Sequence, residues 1–228
     1  MTTMNLQLTD GVHILTLTNA ENGGDNRLTT EVVEEYLAAL DIVEQYQGNT
    51  ALLLTCSHEK TFCTGINLDW LLPLNDADRR EFTAAFETLL CRLALLSAPT
   101  VACINGNAYA GGAIVASATD FRLMRSDRGR FCYPEVDIKI PFTKVSSDIG
   151  QLLPNQQAVK NMMLTGVAYT GLECAELQIV DAIYPQDQLQ QEAFSLAKTL
   201  ASKDRQTYCT NRNLMRPEIV AHANNLTQ

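Results

Sequence analysis

The chain has 228 residues, of which 46% are apolar and 19% are charged, a balance typical of one soluble globular domain with a substantial core. Its 17 basic and 26 acidic residues give a net charge of −9, which argues against a nucleic-acid partner, because phosphate-binding faces need clustered Lys and Arg. No apolar run approaches the roughly 20 residues of a membrane span, so no membrane partner is expected. Neither end carries a signal-peptide or peroxisomal targeting pattern, and we therefore expect a cytoplasmic protein.

The first elements along the chain are a predicted hairpin and a predicted helix. Asp10-Gly11 separates two apolar runs and is a strong signal for a tight turn between strands. A loop rich in Gly and Asn follows at 19–26. A helix capped by Thr29 or Thr30 is then expected to reach about Gln47, because its apolar residues recur at helical spacing.

Strands and helices alternate in the middle of the chain, and helices dominate its last third. A second long helix is expected to begin at Asp76 or Asp78 and to stop before Pro99. Short apolar runs predict buried strands at 51–54, 100–104 and 121–124, and later periodicity predicts helices near 146–153, 155–164, 171–177 and 188–202. This order predicts an α/β layered fold in a single domain, 1–228, with a core over about 1–185 and a helical C-terminal region from about 186.

The cysteines and histidines give no metal-binding pattern. The seven cysteines form no Cys-x-x-Cys pair, and the three histidines are scattered at positions 13, 58 and 222. No metal site is therefore expected. We expect the thiols to serve as small buried hydrophobic groups in a reducing compartment.

The most informative motif is a glycine-rich turn, Asn105-Gly106-Asn107-Ala108-Tyr109-Ala110-Gly111-Gly112, which follows a predicted buried strand and opens a helix. Backbone N–H groups at the positive end of a helix dipole bind an oxyanion as well as a phosphate. The glycine spacing differs from the dinucleotide fingerprint, and no Gly-Lys-Ser/Thr of a P-loop follows. The turn therefore predicts an anion-binding cradle.

A single carboxylate follows about twenty residues later. Glu135 stands between Pro134 and Val136, with Phe131 before them and Ile138 after them. A carboxyl group among apolar neighbours should have a raised pKa through desolvation, which suits an acid and base near neutral pH. The helix that opens at the glycine turn has no Asp or Glu over 112–118. Such a site can move a proton but is poorly equipped to add water.

A third motif, Phe62-Cys63-Thr64-Gly65-Ile66-Asn67-Leu68, has a glycine at which backbone can approach a ligand closely. In this order and spacing, the three motifs resemble the crotonase (enoyl-CoA hydratase/isomerase) superfamily. The resemblance covers nearly the whole chain and includes Asp120 and the segment from Leu164-Thr165-Gly166 to Asp181. It implies a crotonase-like (ClpP/crotonase) fold of repeated ββα units, an acyl-CoA thioester substrate, and a homotrimer or dimer of trimers.

The resemblance also implies roles for individual residues. The backbone N–H groups of Ile66 and Gly111 would form the oxyanion hole for the thioester carbonyl, and Glu135 matches the second catalytic glutamate of the family. Coenzyme A is part of the substrate, so no separate cofactor is implied. The loop around Cys63 to Leu68 would hold the adenine and pantetheine parts of CoA through its backbone, and Lys60 matches a position that can approach the CoA phosphates. The residues that the resemblance places in CoA binding are Lys60, Cys63, Thr64, Gly65, Ile66 and Leu68.

The departures from the family pattern bear on the reaction. Hydratases of the family carry another glutamate in the helix after the glycine turn, and the corresponding position here is Ile114. Asn67 stands where the family usually has Asp, and Gln178 where it usually has Gly. The chain is also short for the family, so the C-terminal region that builds trimers is expected to be reduced.

With one carboxylate, the sequence most resembles a Δ3,Δ2-enoyl-CoA isomerase, an enzyme of fatty-acid β-oxidation. Glu135 would remove a proton from C2 of a 3-enoyl-CoA and return it to C4, giving a trans-2-enoyl-CoA. Another crotonase reaction, such as hydration or thioester hydrolysis, stays open if Asp137 or Asp148 supplies a second carboxylate; on a strand, Asp137 would share a face with Glu135. A non-catalytic acyl-CoA-binding protein also stays open.

Overall fold

The structure is a computed structural model that describes residues 2–19 and 25–226. Most of the Gly/Asn-rich loop predicted at 19–26 lies outside the described residues. The predicted hairpin is confirmed: β1 (Met4–Thr9) pairs antiparallel with β2 (Val12–Leu17) across a turn in which Asp10 and Gly11 both have positive φ. The predicted first helix is also confirmed as α1 (Thr30–Gln45), with Thr29 as its N-cap.

The middle of the chain repeats one arrangement, in which two strands precede a helix and the two strands enter different sheets. In each pair the first strand joins a larger sheet and the second joins a smaller one. In the first repeat, β3 (Ala51–Cys56) and β4 (Thr61–Cys63) precede α2 (Leu68–Leu71) and α3 (Asp76–Ala94). In the second, β5 (Thr100–Ile104) and β6 (Asn107–Tyr109) precede α4 (Gly111–Ala118). In the third, β7 (Phe121–Arg125) and β8 (Arg130–Cys132) precede α5 (Lys144–Gly150).

The two sheets have simple orders. The larger sheet has the order β1-β2-β3-β5-β7-β10, parallel except for the first hairpin, where β10 is Ala182–Tyr184. The smaller sheet has the order β4-β6-β8-β9, in which β9 (Ala168–Thr170) runs antiparallel to β8. The sequence patterns did not predict the smaller sheet, because strands of three residues are too short to show an alternating pattern.

The core lies on both faces of the larger sheet. All six residues of β3 are buried, because alternate side chains point to opposite faces. Leu52 and Leu54 join the main cluster with α1 and α3. Ala51 and Leu53 instead pack in a second cluster with Leu189 and other residues of α8 (Gln186–Ala201).

The C-terminal third is helical, as predicted. After α5 come α6 (Gln156–Thr165), α7 (Gly171–Glu176), α8, α9 (Arg205–Leu214) and α10 (Pro217–Leu226). The last helix folds back onto α3 and α5. Among the described ranges 2–19 and 25–226, no helix is both long enough and apolar enough to cross a bilayer.

All seven cysteines are free thiols, and six of them are buried. Burial raises the pKa of several of these thiols, for example to about 11 for Cys91 and about 12 for Cys103. The expectation that they are small buried hydrophobic groups is confirmed for these six, while Cys209 is half-buried.

Candidate active site

The three sequence motifs meet at one edge of the smaller sheet. Strands β4, β6 and β8 lie side by side and run parallel, so their carboxyl ends share an edge. Each strand leads into one motif: the loop 63–68, the turn 110–112, and the turn that contains Glu135. A cavity of about 280 Å³ opens where the motifs meet, and it is lined by residues from all three. This edge is therefore the candidate active site.

The loop after β4 is held by Leu28, which forms an isolated parallel bridge with Ile66. The Leu28 amide donates to the Gly65 carbonyl (2.8 Å), and the Asn67 amide donates to the Leu28 carbonyl (2.9 Å). These two bonds flank Ile66, so the N–H of Ile66 itself faces away from Leu28. The Cys63 thiol points inward and donates to the Asn26 carbonyl (2.9 Å).

The second motif approaches this loop at a pair of glycines. A methyl group built on Gly65 would lie 2.8 Å from the amide nitrogen of Gly111, and Gly65 has a φ of +89°. Glycine is therefore needed here both for the close approach and for the backbone angle. Ala110 precedes Gly111 with a φ of +48°, an unusual conformation for a residue with a side chain. Such strain is often stored at functional sites, and here it orients the first peptide of α4.

The two amides predicted to form an oxyanion hole are thus brought together. Ile66 and Gly111 both line the cavity. Within the ranges 2–19 and 25–226, neither backbone N–H has a hydrogen-bond partner. Gly111 is the first residue of α4, so its N–H also lies at the positive end of that helix. The pair can donate to one oxygen atom of a ligand.

The third motif places a carboxyl group against the same cavity. Glu135 is only 7% exposed, and its Oε2 has no hydrogen-bond partner among the described residues. Burial raises its pKa from 4.5 to about 7, partly offset by a backbone hydrogen bond. The predicted direction of the pKa shift is confirmed, but burial within the fold causes it, since the neighbouring Val136 and Ile138 are exposed. A group that titrates near neutrality can both accept and donate a proton under physiological conditions.

Glu135 lies in a tight turn rather than on a strand. The Pro134 carbonyl accepts from the amides of Asp137 (2.9 Å) and Ile138 (3.1 Å), which starts the turn directly after β8. The expectation that Asp137 would share a face with Glu135 as on a strand is therefore wrong. Asp137 is exposed, and its carboxylate lies against Gly166.

Neither of the acidic residues considered as a second carboxylate lines the cavity. Asp137 points away, as described above, and Asp148 is engaged elsewhere. Its carboxylate forms an ion pair with Lys144 and contacts His222 Nε2 at 2.7 Å. These two partners hold the pKa of Asp148 below its usual value against the opposing effect of burial.

The cavity contains another carboxylate that the sequence motifs did not indicate. Glu87, on α3, lines it together with Thr83 one turn earlier and with Phe86. Position 114, where hydratases of the family have a glutamate, is indeed at the cavity, and Ile114 is 3% exposed there. The only sequence feature that points to Glu87 as a site residue is its helical spacing from Thr83. That spacing does not show which face of α3 borders a cavity.

Of the six residues predicted to bind CoA, three line the cavity, one shapes its rim and two do not line it. Thr64, Ile66 and Leu68 line the cavity. Gly65 shapes its rim through the contact with Gly111. The other two residues do not line it: Cys63 is buried beneath the loop, and Lys60 is an exposed residue whose carbonyl accepts from the Asn107 amide (2.9 Å). The roles of all six in CoA binding stay predictions.

Comparison with known proteins agrees with this architecture. A family model described as enoyl-CoA hydratase/isomerase matches residues 7–225. The chain belongs to this family. Its fold is similar to that of human mitochondrial delta3-delta2-enoyl-CoA isomerase, with a TM-score of 0.88 at 21% identity over 96% of this chain and 85% of the human one. The predicted crotonase-like α/β fold is thereby confirmed.

Curated relatives of this family member include both isomerases and hydratases. Enoyl-CoA delta isomerase 3 of Arabidopsis thaliana is 28% identical over 90% of this chain and 89% of its own length. A putative enoyl-CoA hydratase of Thermus thermophilus is 32% identical over 77% of this chain and 70% of its own length. Membership of the family therefore establishes an acyl-CoA enzyme. Which reaction it catalyses has to be argued from the residues of the site.

Proposed function

We propose that this protein is a Δ3,Δ2-enoyl-CoA isomerase. The observation that carries the proposal is the pairing of one buried carboxyl group, Glu135, with two unpartnered amides, those of Ile66 and Gly111, at one cavity within the described residues. Ile114 occupies the position at which the family's hydratases have another glutamate. The isomerase names among the relatives also support this reaction.

The reaction needs only these groups. The thioester oxygen accepts hydrogen bonds from the Ile66 and Gly111 amides, which makes the hydrogens on C2 more acidic. Ionised Glu135 takes a proton from C2, and the negative charge of the dienolate gathers on the thioester oxygen. Loss of one such donor typically lowers the rate by roughly 10²–10³-fold. Glu135 then returns its proton to C4, which leaves a double bond between C2 and C3.

Turnover of two substrates tests the proposal. The purified protein should convert 3-hexenoyl-CoA to trans-2-hexenoyl-CoA faster than it hydrates crotonyl-CoA. Glu135→Gln should lower kcat by several orders of magnitude and leave the binding of CoA esters largely intact. Faster turnover of crotonyl-CoA would contradict the proposal. Wild-type turnover that Glu135→Gln leaves unchanged would remove Glu135 from the mechanism.

Hydration is the second candidate reaction, because Glu87 contributes another carboxylate to the cavity. Glu87 comes from α3 and not from α4, so it would approach the substrate from a different wall. Measured hydration of crotonyl-CoA that Glu87→Gln abolishes would favour this candidate.

Two further expectations belong to the same proposal. A homotrimer or dimer of trimers is carried over from the family resemblance, and the sedimentation coefficient of the purified protein tests it. A cytoplasmic location is inferred from the sequence, whereas the names of isomerase relatives include peroxisomal and mitochondrial forms. Imaging of the tagged protein in its own cell distinguishes these locations.

A further inference from the structure

One wall of the cavity, formed by α3, contains an acidic residue. Helix α3 contributes Thr83, Phe86 and Glu87 to the lining. Phe86 Cζ lies 3.3 Å from where a methyl group on Gly111 would stand, so this helix packs directly beside one of the candidate oxyanion donors. Glu87 follows Phe86 and is half-buried. Glu87 therefore lies on the α3 wall of the same cavity that Glu135, Ile66 and Gly111 line.

The Glu87 carboxylate has no hydrogen-bond or ion-pair partner within residues 2–19 and 25–226. The nearby Thr83 hydroxyl cannot serve, because it donates to the Arg79 carbonyl one turn back (2.8 Å). A plain alkyl chain in the cavity would displace water from this carboxylate and offer no hydrogen bond in return. Leaving a charged group desolvated and unpaired is unfavourable.

A second polar patch faces the cavity from the start of α5, which packs against α3. Thr143 and Ser146 both line the cavity. They bond chiefly to each other: the Thr143 hydroxyl donates to Ser146 Oγ, and the Ser146 amide donates to Thr143 Oγ1, both at 3.2 Å. Much of the remaining wall is apolar and includes Leu71, Ile138, Ile140, Pro141 and Phe142. The cavity thus combines an apolar surface with a hydrogen-bond acceptor, the Glu87 carboxylate, that lacks a donor among the described residues.

We propose that Glu87 selects acyl chains that carry a hydrogen-bond donor, such as a hydroxyl group, beyond the double bond. The hydroxyl would donate to the Glu87 carboxylate, and the carbons before it would lie against the apolar wall. This inference rests on the proposed function for its reacting end, and it adds the substrate class. Glu87 would act on specificity and not on the proton transfer.

Binding of two unreactive esters isolates the effect of Glu87 from turnover. The probes are 6-hydroxyhexanoyl-CoA and heptanoyl-CoA, which have the same number of heavy atoms and differ by a hydroxyl in place of a methyl group. Calorimetry should show that the wild-type protein binds the hydroxy ester at least about tenfold more tightly, since hydrogen bonds to charged groups are worth more than neutral ones. Glu87→Leu should reverse the preference, and Glu87→Gln should keep part of it because an amide oxygen still accepts.

The matched control is Glu81→Leu, which removes an exposed carboxylate from α3 outside the cavity. It should bind both esters as the wild type does. Equal wild-type affinities for the two esters would overturn the inference, as would a hydroxyl preference that Glu87→Leu leaves unchanged. Loss of the preference in Glu81→Leu would also overturn it, because the preference for the hydroxy ester would then depend on the net charge of the protein and not on a contact with Glu87.

Turnover separates this inference from the proposed function. The wild-type protein should isomerise the hydroxylated ester, 6-hydroxy-3-hexenoyl-CoA, with a higher kcat/KM than 3-heptenoyl-CoA, and Glu87→Leu should reverse this order. Isomerisation of both esters without a preference overturns the selectivity alone. A hydroxyl preference in binding without any isomerisation overturns the proposed function alone.

Discussion

A side chain on Gly65 would collide with the backbone of Gly111, since a methyl group there would lie 2.8 Å from the Gly111 amide nitrogen. This contact fixes how closely the loop after β4 approaches the start of α4. Ile66 is the next residue after Gly65, so the same contact sets the spacing of the two candidate oxyanion donors. The geometry of the site therefore depends on the close approach of the Gly65 and Gly111 backbones as much as on side chains.

Gly65→Ala should lower the catalytic efficiency with 3-hexenoyl-CoA by roughly 10²-fold or more, because one donor moves away from the thioester oxygen. The matched control is Gly11→Ala, in the first hairpin. Gly11 also has a positive φ (+79°), but no atom lies within 4 Å of an added methyl group. Both variants should lose about 1–2 kcal/mol of unfolding free energy through the backbone angle. Equal activities of the two variants would contradict the role of the contact.

The activity should follow the ionisation of Glu135. The proposed reaction begins with an ionised carboxylate, and burial raises the pKa of Glu135 to about 7. The catalytic efficiency of the isomerisation should therefore rise about tenfold per pH unit below the pKa and level off above it. A pH–rate profile with a CoA ester whose acyl chain does not ionise measures this directly. A profile that stays flat across the range from acidic to slightly basic pH would remove Glu135 as the base.

The same pKa predicts that the contribution of Glu135 to the stability of the fold falls as the pH rises, whereas the activity rises. Because the pKa of Glu135 is higher in the folded protein (about 7) than its ordinary value (4.5), the folded state binds the proton more tightly. The contribution to stability is full below pH 4.5 and is lost as the pH rises to about 7. Glu135→Gln should therefore stabilise the fold by about 3 kcal/mol above pH ~7 and have little effect near pH ~4. Urea denaturation at the two pH values checks this, and an equal effect at both would contradict it.

A carboxylate at position 114 should open the route to hydration. Ile114 lines the cavity and is nearly fully buried. Ile114→Glu should raise crotonyl-CoA hydration by at least about tenfold, since a positioned general base typically contributes roughly 10²–10⁴-fold. Ile114→Gln is the control of equal size that cannot deprotonate water. Equal hydration by the two variants would show that the added carboxylate does not act on water, and circular dichroism shows whether each variant has folded.

A buried ion-pair network should fasten the C-terminal helices to the core. The side chain of Asp120 is 5% exposed and contacts Arg216 (3.0 Å), which directly precedes α10, and the Tyr208 hydroxyl (3.0 Å) from α9. Asp120→Ala should lower the unfolding free energy by about 3–5 kcal/mol, because it leaves buried arginine charge uncompensated. The control is Asp10→Asn, which removes an exposed pair with Lys198 and should cost less than about 1 kcal/mol. Similar losses in both variants would contradict the role of the network.

Some features of the fold follow from local sequence alone. The buried strand β3, the cap at Thr29 and the hairpin at Asp10-Gly11 depend on nearest neighbours and on periodicity, and each was predicted. The direction of the pKa shift of Glu135 was also predicted, but its cause is burial within the fold, since the sequence neighbours Val136 and Ile138 are exposed. Position 178, where the family usually has Gly, is one at which the backbone has a positive φ, and Gln178 adopts it here (+55°).

Other features could only come from tertiary contacts. The three-residue strands β4, β6 and β8 are defined by their pairing with one another, and that pairing is what brings Ile66, Gly111 and Glu135 to one edge. Asp137 lies outside the site because a turn, and not a strand, follows β8. Glu87 lies inside it because α3 packs on α5, a choice of face that helical spacing does not decide.

The sequence by itself determined the family, the chemical groups and the single glutamate of the proposed proton shuttle, since these depend on residue identity and spacing. Only the tertiary structure decided which other groups share the cavity with that glutamate. The physical reason is that the cavity is built from elements distant in sequence, whose side chains reach it only after the sheets and helices have packed.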